Sequence, residues 1–316
     1  MVTAEPLPVG ESAVDAGLIV EHAACTVTGP VRERNEDHVG WTMLGGAHAG
    51  PVVLGGLAPD ESGAGSDAGS PPDGAGWAVP VQANVPAGSA VLLAVADGLG
   101  AYGGGDVASW LALNELLGMA AAASGTGPSA GLLRTGFGRA NQRVVDAALA
   151  GQGTRAMQTT LTALLLGPGE AYLGHVGDCR AYRLRDGELE LLTTDHTQVM
   201  ELLRLRLVSP GQAAEHPARY ALTRALGGEL TVRTDVRQEP LRDGDAFLLC
   251  SDGLWSKVDA GEIGSALRGD VDAACDRLVR AAVERGGEDN ASALAVRVRR
   301  AGRAAQVRDW RRLFRR

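Results

Sequence analysis

The sequence predicts an antiparallel α+β fold, because its apolar strands are grouped apart from its helices. Two helices follow one another at 107–123 and 131–150, each with apolar residues at helical spacing and with no strand between them. The strands after them come in quick succession, and Asp186–Gly187 between two β-rich segments is a strong hairpin signal. A parallel sheet would need strand–helix–strand alternation, which this order does not provide.

The other elements follow from composition and periodicity along the chain. Residues 1–16 are predicted to be a disordered lead-in. Residues 45–89 are rich in Gly, Ala, Pro, Ser and Asp, and most of them are predicted to form a flexible insertion because they cannot bury enough apolar surface. Residues 196–224 are typical of a helix plus an irregular arm. A further helix is predicted at 272–285, and strands at 17–28, 38–44, 90–98, 159–167, 170–177, 179–193, 230–238, 245–250 and 290–298.

Composition limits the class of protein. The chain has 316 residues and 45% hydrophobic content, enough for one large domain or two ordinary ones. Its formal charge of −8 argues against general nucleic-acid binding. The four cysteines show no C-x-x-C spacing and are expected to be small buried residues in a reducing compartment. No signal-peptide pattern opens the chain and no apolar run approaches ~20 residues, so we expect a soluble cytoplasmic protein.

Four hydrophobic strands carry an acidic residue at one end, flanked by small residues. Asp97, Asp178 and Asp252 follow their strands, whereas Asp289 precedes its strand. Burying carboxylates is costly unless a cation compensates their charge, and the chain has a single lysine, Lys257, for all four acids. Hard divalent ions prefer carboxylate, carbonyl and water oxygens. The pattern therefore predicts metal-assisted chemistry.

These acids belong to a series of short motifs that occur in a defined order. The motifs are RERNED (32–37), ADGLGAYGGGDVAS (96–109), TTLTALLL (159–166), GHVGDCRAYRL (174–184), LTTDHT (192–197), LTRALG (222–227), LLCSDGLW (248–255) and GGEDNAS (286–292). Over about residues 17–299 the chain resembles the PP2C (PPM) family of metal-dependent Ser/Thr protein phosphatases, in its bacterial form. The resemblance implies two packed antiparallel sheets flanked by pairs of antiparallel helices. It also implies two Mn²⁺ or Mg²⁺ ions in a cleft at one end of this sandwich.

The resemblance assigns four residues to the two principal ions. Asp97 matches the bridging carboxylate, and Gly98 matches the residue that lends a backbone carbonyl to one metal. A glycine at that point lets the chain turn and approach an ion closely. Asp252 and Asp289 match the remaining ligands of the second metal.

Four further positions are matched in the same way. Glu36 and Asp37 match an acidic pair that contributes a ligand directly or through water. Asp178 matches the residue that, with Asp252, holds a third and weaker metal in bacterial members; on its own it also fits the cap of a β-turn. Arg32 matches the arginine that grips phosphate, and its planar fork suits a phosphate dianion.

The resemblance further implies hydrolysis of phosphoserine and phosphothreonine in proteins by a monomer that counters a bacterial Ser/Thr kinase. Paired ions lower the pKa of a bridging water for in-line attack, so the catalytic roles fall to Arg32, Asp97 and Asp252. The sequence contains no H-E-x-x-H metal site. The leaving group would be protonated by a metal-bound water or by His196, which otherwise fits a hydrogen-bonded turn residue.

Some positions depart from the family pattern without removing a matched ligand. Ala101, Tyr102 and Asp106 replace Gly, His and Glu in the motif after Asp97. Gln158 stands where a glycine usually precedes the threonine pair, and Ala291 replaces a β-branched residue. These departures bear on substrate access and on the loop after Asp97.

The same residues are compatible with other functions. GLGAYG (98–103) fits the dinucleotide fingerprint, but Asp97 would aim a carboxylate into the pyrophosphate site. A catalytically weak regulator that keeps the fold as a protein-binding module predicts a lost ligand, whereas every matched acid is present. A phosphatase dedicated to one anti-sigma-type partner is a third alternative. The Arg-rich tail at 300–316 is typical of an amphipathic helix that docks on an anionic membrane or an acidic partner, packs on its own domain, or frays.

Overall fold

Two antiparallel β-sheets packed face to face form the centre of the fold, with helices on both outer faces, as the sequence predicts. The structure is a computed structural model that describes residues 17–45, 51–55, 79–99, 103–123 and 127–300. The predictions for the lead-in at 1–16, for Ala101 and Tyr102, and for the tail at 301–316 lie outside these residues.

The strand order places distant parts of the chain side by side. One sheet has the order β10 (Glu188–Leu191), β9 (Arg180–Arg185), β12 (Ala246–Cys250), β13 (Ala291–Arg300), β1 (Leu18–Val27) and β4 (Val79–Val85). The other has the order β11 (Asp235–Pro240), β8 (Glu170–Val176), β7 (Leu161–Gly167), β5 (Val91–Leu99), β2 (Asp37–Met43) and β3 (Val52–Gly55), and β6 (Gln158–Thr159) pairs with the end of β5. The strongly predicted hairpin turn lies between β9 and β10. Asp186 and Gly187 both have positive φ there, 52° and 85°, which is the geometry that an Asp-Gly turn favours.

Helices cover the two outer faces. The second sheet is covered by α1 (Gly105–Ala122) and α2 (Ala130–Leu149), and the first by α6 (Ala260–Ala266) and α7 (Val271–Glu284). The segment between β10 and β11 contains the short helices α3 (Gln198–Arg204) and α4 (Pro210–Ala214) within an otherwise irregular arm, and α5 (Asp252–Trp255) follows β12 directly. No helix in the described part of the chain is long and apolar enough to cross a membrane.

Alternation along the central strands divides their side chains between two cores. In β5, Val91, Leu93 and Val95 pack between the sheets, whereas Leu92 and Ala94 pack beneath the helix pair α1–α2. Both faces of this strand are buried, which explains why its sequence is a continuous apolar run.

The structure differs from the sequence prediction inside the 45–89 stretch, where β3 and β4 are ordered strands. Residues 46–50 and 56–78 of that stretch lie outside the described residues. β4 is ordered because Val81, Ala83 and Val85 turn towards the protein while Gln82 and Asn84 are exposed, so the strand has one apolar face to place against β1. Three smaller differences are that α5 and α6 were not predicted, and that β11 begins later than the strand predicted at 230–238.

The imidazole ring of His22, on β1, is buried between the two sheets. The ring of His22 is fully buried and stands edge-on to Trp41, with 4.9 Å between ring centroids. Neither ring nitrogen of His22 has a hydrogen-bond partner among the described residues. Burial lowers the pKa of His22 from 6.5 to about 4, so the imidazole is neutral in the folded protein at pH 7.

This histidine predicts an acid-sensitive component of stability. The unfolded chain binds a proton at His22 near pH 6.5 and the folded chain only near pH 4, so stability is lost as the pH falls through that interval. Between pH 7 and 5 the free energy of unfolding should fall by up to about 2 kcal/mol through His22, and His22→Leu should remove that loss. Urea denaturation at both pH values measures the difference. His216→Gln, at a partly exposed position, should keep the wild-type pH dependence; an unchanged pH dependence in His22→Leu would contradict the assignment.

Candidate active site

Strand alternation brings the predicted acids to one open end of the sandwich. Asp37 and Asp97 lie directly opposite each other in the β2–β5 ladder. They have the same parity as the residues of these strands that pack between the sheets, so both carboxylates belong to the inter-sheet side. Asp178 follows β8, and Asp252 follows β12 as the first residue of α5. The sheets thus deliver acids from both layers to the same end.

Asp37 is the most deeply buried of these carboxylates, with 1% of its surface exposed. Its Oδ2 atom accepts hydrogen bonds from the hydroxyls of Ser251 at 2.6 Å and Ser292 at 2.7 Å. Its Oδ1 atom has no partner among the described residues. Burial raises the pKa of Asp37 to about 7, although the two serine hydrogen bonds oppose that rise. One carboxylate oxygen is therefore available for a cation.

Asp97 and Asp252 form the centre of the cluster. Burial, followed by the charges of Asp37, Asp252 and Asp178, raises the pKa of Asp97 well above its usual range. Burial and the charge of Asp289 raise the pKa of Asp252 to about 6, while a hydrogen bond with the Asp97 carboxyl opposes the rise. Two carboxyl groups in this contact must share a proton unless a cation replaces it.

Backbone hydrogen bonds hold Asp97 in place. Its N–H donates to the Thr160 hydroxyl at 3.0 Å, and its carbonyl accepts from the Thr160 N–H and the Thr159 hydroxyl, both at 2.8 Å. Both threonines belong to the TTLTALLL motif, which explains why that motif accompanies the acids. The carboxylate is therefore presented by a rigid backbone.

Gly98 lies in a crowded position beside Asp97. A Cβ atom there would approach within 2.1 Å of the Gly105 carbonyl oxygen and 2.7 Å of the Glu36 carbonyl oxygen. The Gly98 N–H also donates to the Glu36 carbonyl at 3.1 Å. The glycine is thus required for the close packing of β5 against the start of α1 and the loop before β2, whatever its carbonyl binds.

Glu36, Arg32 and Asp289 lie at the rim of the cluster. Burial and the charge of Asp106 raise the pKa of Glu36, while the charge of Arg32 opposes the rise. Arg32 donates to the Asp289 Oδ2 atom at 2.6 Å, and 48% of the Arg32 side chain remains exposed. This guanidinium is therefore accessible at the mouth of an otherwise acidic site.

The cluster fits divalent cations in its charge and donor chemistry. Its buried carboxylates raise one another's pKa, and Asp37 has an oxygen without a partner, so a cation would relieve both costs. All donors are hard oxygens of the type that Mg²⁺ and Mn²⁺ prefer. Within the described residues, no three such side chains already converge on one point as a finished ligand shell.

Comparison with known proteins identifies the family. The family model described as protein phosphatase 2C matches residues 80–290. The chain belongs to the protein phosphatase 2C family. Its sequence is 37% identical over 213 residues to the serine/threonine protein phosphatase PstP of Mycobacterium tuberculosis, covering 66% of this chain but only 40% of PstP.

Two further comparisons extend the likeness beyond that match. The chain is 34% identical over 210 residues to the serine/threonine phosphatase stp of Listeria welshimeri, covering 65% of this chain and 83% of that protein. A crystal structure of the catalytic domain of PstP in complex with two manganese ions superposes with a TM-score of 0.66 at 29% identity, covering 89% of this chain and 99% of that domain. The resemblance and the fold that the sequence predicted are thereby confirmed.

This phosphatase 2C chain supports Asp178 through residues that the sequence analysis did not single out. The indole N–H of Trp255 donates to the Asp178 carbonyl at 2.9 Å. The Arg180 guanidinium stacks 3.5 Å from the centroid of Trp255 and donates to both oxygens of Asp195. Tyr220, from the irregular arm, stacks loosely on the same indole. Asp178 itself is 4% exposed, and burial and the charge of Asp252 raise its pKa well above the usual range.

The side chain of His196 lies in a hydrogen-bond network. It is 5% exposed, and its Nδ1 atom accepts a hydrogen bond from the Gly177 N–H at 3.0 Å. Its Nε2 atom contacts Asp235 at 3.2 Å and Arg224 at 3.0 Å. Both ring nitrogens are engaged, and the contact to Gly177 fixes the backbone directly before Asp178. Of the two interpretations of His196, this geometry favours the hydrogen-bonded structural residue over the proton donor.

Asn290 also has a role that the sequence did not predict. Its Oδ1 atom accepts from the Glu36 N–H at 2.8 Å, and its Nδ2 group donates to the carbonyls of Thr28 and Arg34. The side chain therefore ties the loop that carries Arg32 and Glu36 to the strand that follows Asp289.

The Asn290→Ala variant should loosen this loop. We expect the free energy of unfolding to fall by about 1–2 kcal/mol, because three partly buried backbone groups lose their partner, and the affinity for Mn²⁺ to fall about 10–100-fold. Chemical denaturation and calorimetric Mn²⁺ titration measure the two effects. Asn141→Ala is the matched control, since Asn141 is equally buried and also bonds three backbone groups, at 227–230. It should lose stability but keep Mn²⁺ affinity; equal Mn²⁺ affinities in both variants would contradict the role of Asn290.

The departures from the family pattern that the structure describes leave the acids in place. Asp106 lies in the first turn of α1, where its charge raises the pKa of Glu36. Ala291 is buried at the start of β13, and Gln158 pairs with Leu99 in the β5–β6 ladder. Gln158 therefore lies two positions along the sheet from Asp97, at the edge of the site.

Proposed function

We propose that this chain is a metal-dependent phosphomonoester hydrolase that removes phosphate from phosphoserine and phosphothreonine in proteins. The observation that carries the proposal is the cluster of mutually destabilising carboxylates at one end of a phosphatase 2C sandwich, with an exposed arginine at its mouth. The relatives named above support the substrate class, because they are serine/threonine phosphatases. The fold kept as a binding module is the weaker alternative, since every matched acid is present.

The proposed ligands come from five segments of the chain. Asp97 and the Gly98 carbonyl would hold one ion, and Asp252 and Asp289 would hold the second together with Asp97. Glu36 and Asp37 would support this pair directly or through water, and Asp178 would join Asp252 at a weaker third ion. Mn²⁺ is the first candidate, because a related catalytic domain binds two manganese ions.

The residues around the ions have separate tasks in the proposed reaction. Two divalent ions, when bound, neutralise the carboxylates and activate a water for attack on phosphorus. Arg32 can grip the phosphate dianion with two N–H groups while Asp289 fixes the guanidinium from the other side. The threonine hydrogen bonds to the Asp97 backbone hold in place the segment that carries the central carboxylate.

The wider setting is proposed from the same assignment. Residues 17–299 would form the phosphatase domain, acting as a cytoplasmic monomer on phosphoproteins made by a bacterial Ser/Thr kinase. The Arg-rich tail at 300–316 would serve docking on an anionic membrane or an acidic partner.

Hydrolysis of a small aryl phosphate by the purified chain tests the proposal. Turnover should appear with Mn²⁺ or Mg²⁺ and disappear with excess chelator, and a phosphothreonine peptide should be hydrolysed under the same conditions. Turnover that survives chelation would contradict the metal-dependent mechanism. Absence of turnover in a protein shown to be folded and to bind Mn²⁺ would favour the binding module.

A further inference from the structure

A groove leads away from the acidic site along the segment that precedes β11. It consists of two adjoining cavities, of about 810 Å³ and about 280 Å³, which share Val232 and Arg233 as walls. The smaller cavity is also lined by Gln158, which pairs with Leu99 two positions beyond Asp97. Through Gln158 the smaller cavity reaches the edge of the acidic site, and the larger cavity continues past Arg233 along β11 to Arg237.

The charges that line this groove are opposite in sign to those of the chain as a whole. Its walls carry four arginines, which are Arg134, Arg224, Arg233 and Arg237, against the acids Asp235 and Glu229. This lining has a net charge of +2, whereas the chain carries −8. His175 in the larger cavity adds no charge at neutral pH, because burial lowers its pKa to about 3.

Internal ion pairs occupy two of these arginines and leave the other two without a partner. Arg224 is paired with Asp235 at 2.9 Å, and Arg237 is paired with Glu190 and Glu239. Arg134 and Arg233 are exposed and form no ion pair with any described residue. Both line the larger cavity, so its unbalanced positive charge faces whatever enters it.

We propose that this groove binds an acidic segment of the phosphoprotein substrate, adjacent to the residue whose phosphate enters the metal centre. The proposal rests on the proposed phosphatase function and adds the sequence preference of its substrate. Arg134 and Arg233 contact carboxylates of that segment, and the exposed hydroxyl of Thr194 lies in the same cavity as a further hydrogen-bond donor. Gln158, which lines the smaller cavity, contacts the substrate backbone.

The test compares two phosphothreonine peptides that differ only in their flanks, glutamate in one and glutamine in the other. Wild type should show a higher kcat/KM for the acidic peptide, by about 10-fold at low salt, and this ratio should shrink as salt is added. Arg134→Gln and Arg233→Gln should each lower the ratio about 3-fold, and the double variant should bring it close to one. Arg143→Gln is the matched control, because Arg143 is also on α2 without an ion pair to any described residue but lies outside both cavities.

Two further readouts separate this proposal from the proposed function. Aryl phosphate turnover should be the same in wild type and in all four variants, since none of the substituted arginines belongs to the acidic cluster. Binding of a fluorescent, unphosphorylated acidic peptide to the chelator-treated protein, followed by anisotropy, tests the groove without catalysis and should weaken about 10-fold in the double variant. If wild type showed no turnover but still bound the acidic peptide, the proposed phosphatase reaction would be wrong and the proposed groove would stand. Equal kcat/KM for both peptides in wild type, or an unchanged preference in the double variant, would overturn the groove.

Discussion

The Asp252→Asn variant is expected to lose turnover by at least about 10³-fold while remaining folded. The substitution removes one of the carboxylates that would hold the ions, and the charge stabilisation that paired ions supply is several kcal/mol. In the presence of chelator the free energy of unfolding of the variant should exceed that of wild type by about 1–3 kcal/mol, because one of the buried like charges is gone. Activity and stability should therefore change in opposite directions.

Three measurements check this expectation. Steady-state hydrolysis of aryl phosphate gives the turnover, urea denaturation in chelator gives the stability, and thermal denaturation with added Mn²⁺ gives the response to metal. Mn²⁺ should raise the melting temperature of wild type clearly and that of the variant little. Asp272→Asn, in the first turn of α7 far from the cluster, should match wild type in all three. Retained turnover in Asp252→Asn with metal still bound would refute the assignment of the centre.

The Gly98→Ala variant should lower stability and turnover together. A Cβ atom would lie 2.1 Å from the Gly105 carbonyl oxygen and 2.7 Å from the Glu36 carbonyl oxygen. Both are backbone atoms that cannot rotate away, so β5 and the start of α1 must separate. Such overpacking should lower the free energy of unfolding by at least about 2 kcal/mol. Turnover should fall at least about 10²-fold, because Asp97 moves with its neighbour and catalytic geometry tolerates little displacement.

Gly118→Ala is the matched control for this variant. Gly118 lies in the middle of α1, and an added Cβ atom would meet nothing within 4 Å. The substitution should raise the free energy of unfolding by about 0.5–1 kcal/mol, because alanine favours the helix, and should leave turnover unchanged. Urea denaturation and aryl phosphate hydrolysis measure both variants. Wild-type stability in Gly98→Ala would show that the packing around Gly98 is looser than the structure indicates.

Much of the acidic site could be predicted from the chain alone, because its key residues lie on strands with a strict alternation. An acid at the end of a strand buried on both faces is conspicuous: Asp97 lies near the end of β5, and Asp178 and Asp252 follow β8 and β12. The fold class and the hairpin at Asp186–Gly187 were also predictable, because the periodicity of strands and helices and the residues of a tight turn are local signals in the sequence. Their roles as metal ligands stay predictions.

The supporting residues could not be predicted, since their partners are far away along the chain. Asn290 bonds the carbonyl of Arg34, a separation of 256 residues, and nothing near either position signals the contact. Trp255 is equally ambiguous in sequence, where it fits a core residue, until its indole N–H is seen to reach the Asp178 carbonyl. The pairing of Arg224 with Asp235, which leaves Arg134 and Arg233 as the free charges of the groove, is a further arrangement of this kind.

The sequence by itself determined the fold class, the family and the set of acids, because strand periodicity and motif order are local properties of the chain. The tertiary structure decided what surrounds those acids. Asp37 faces Asp97 only through the strand register, its remaining oxygen is unpaired only through the positions of Ser251 and Ser292, and Gly98 is indispensable only through the approach of α1. Contacts of this kind depend on how two sheets and their helices pack, and packing brings together residues whose separation along the chain carries no local signal.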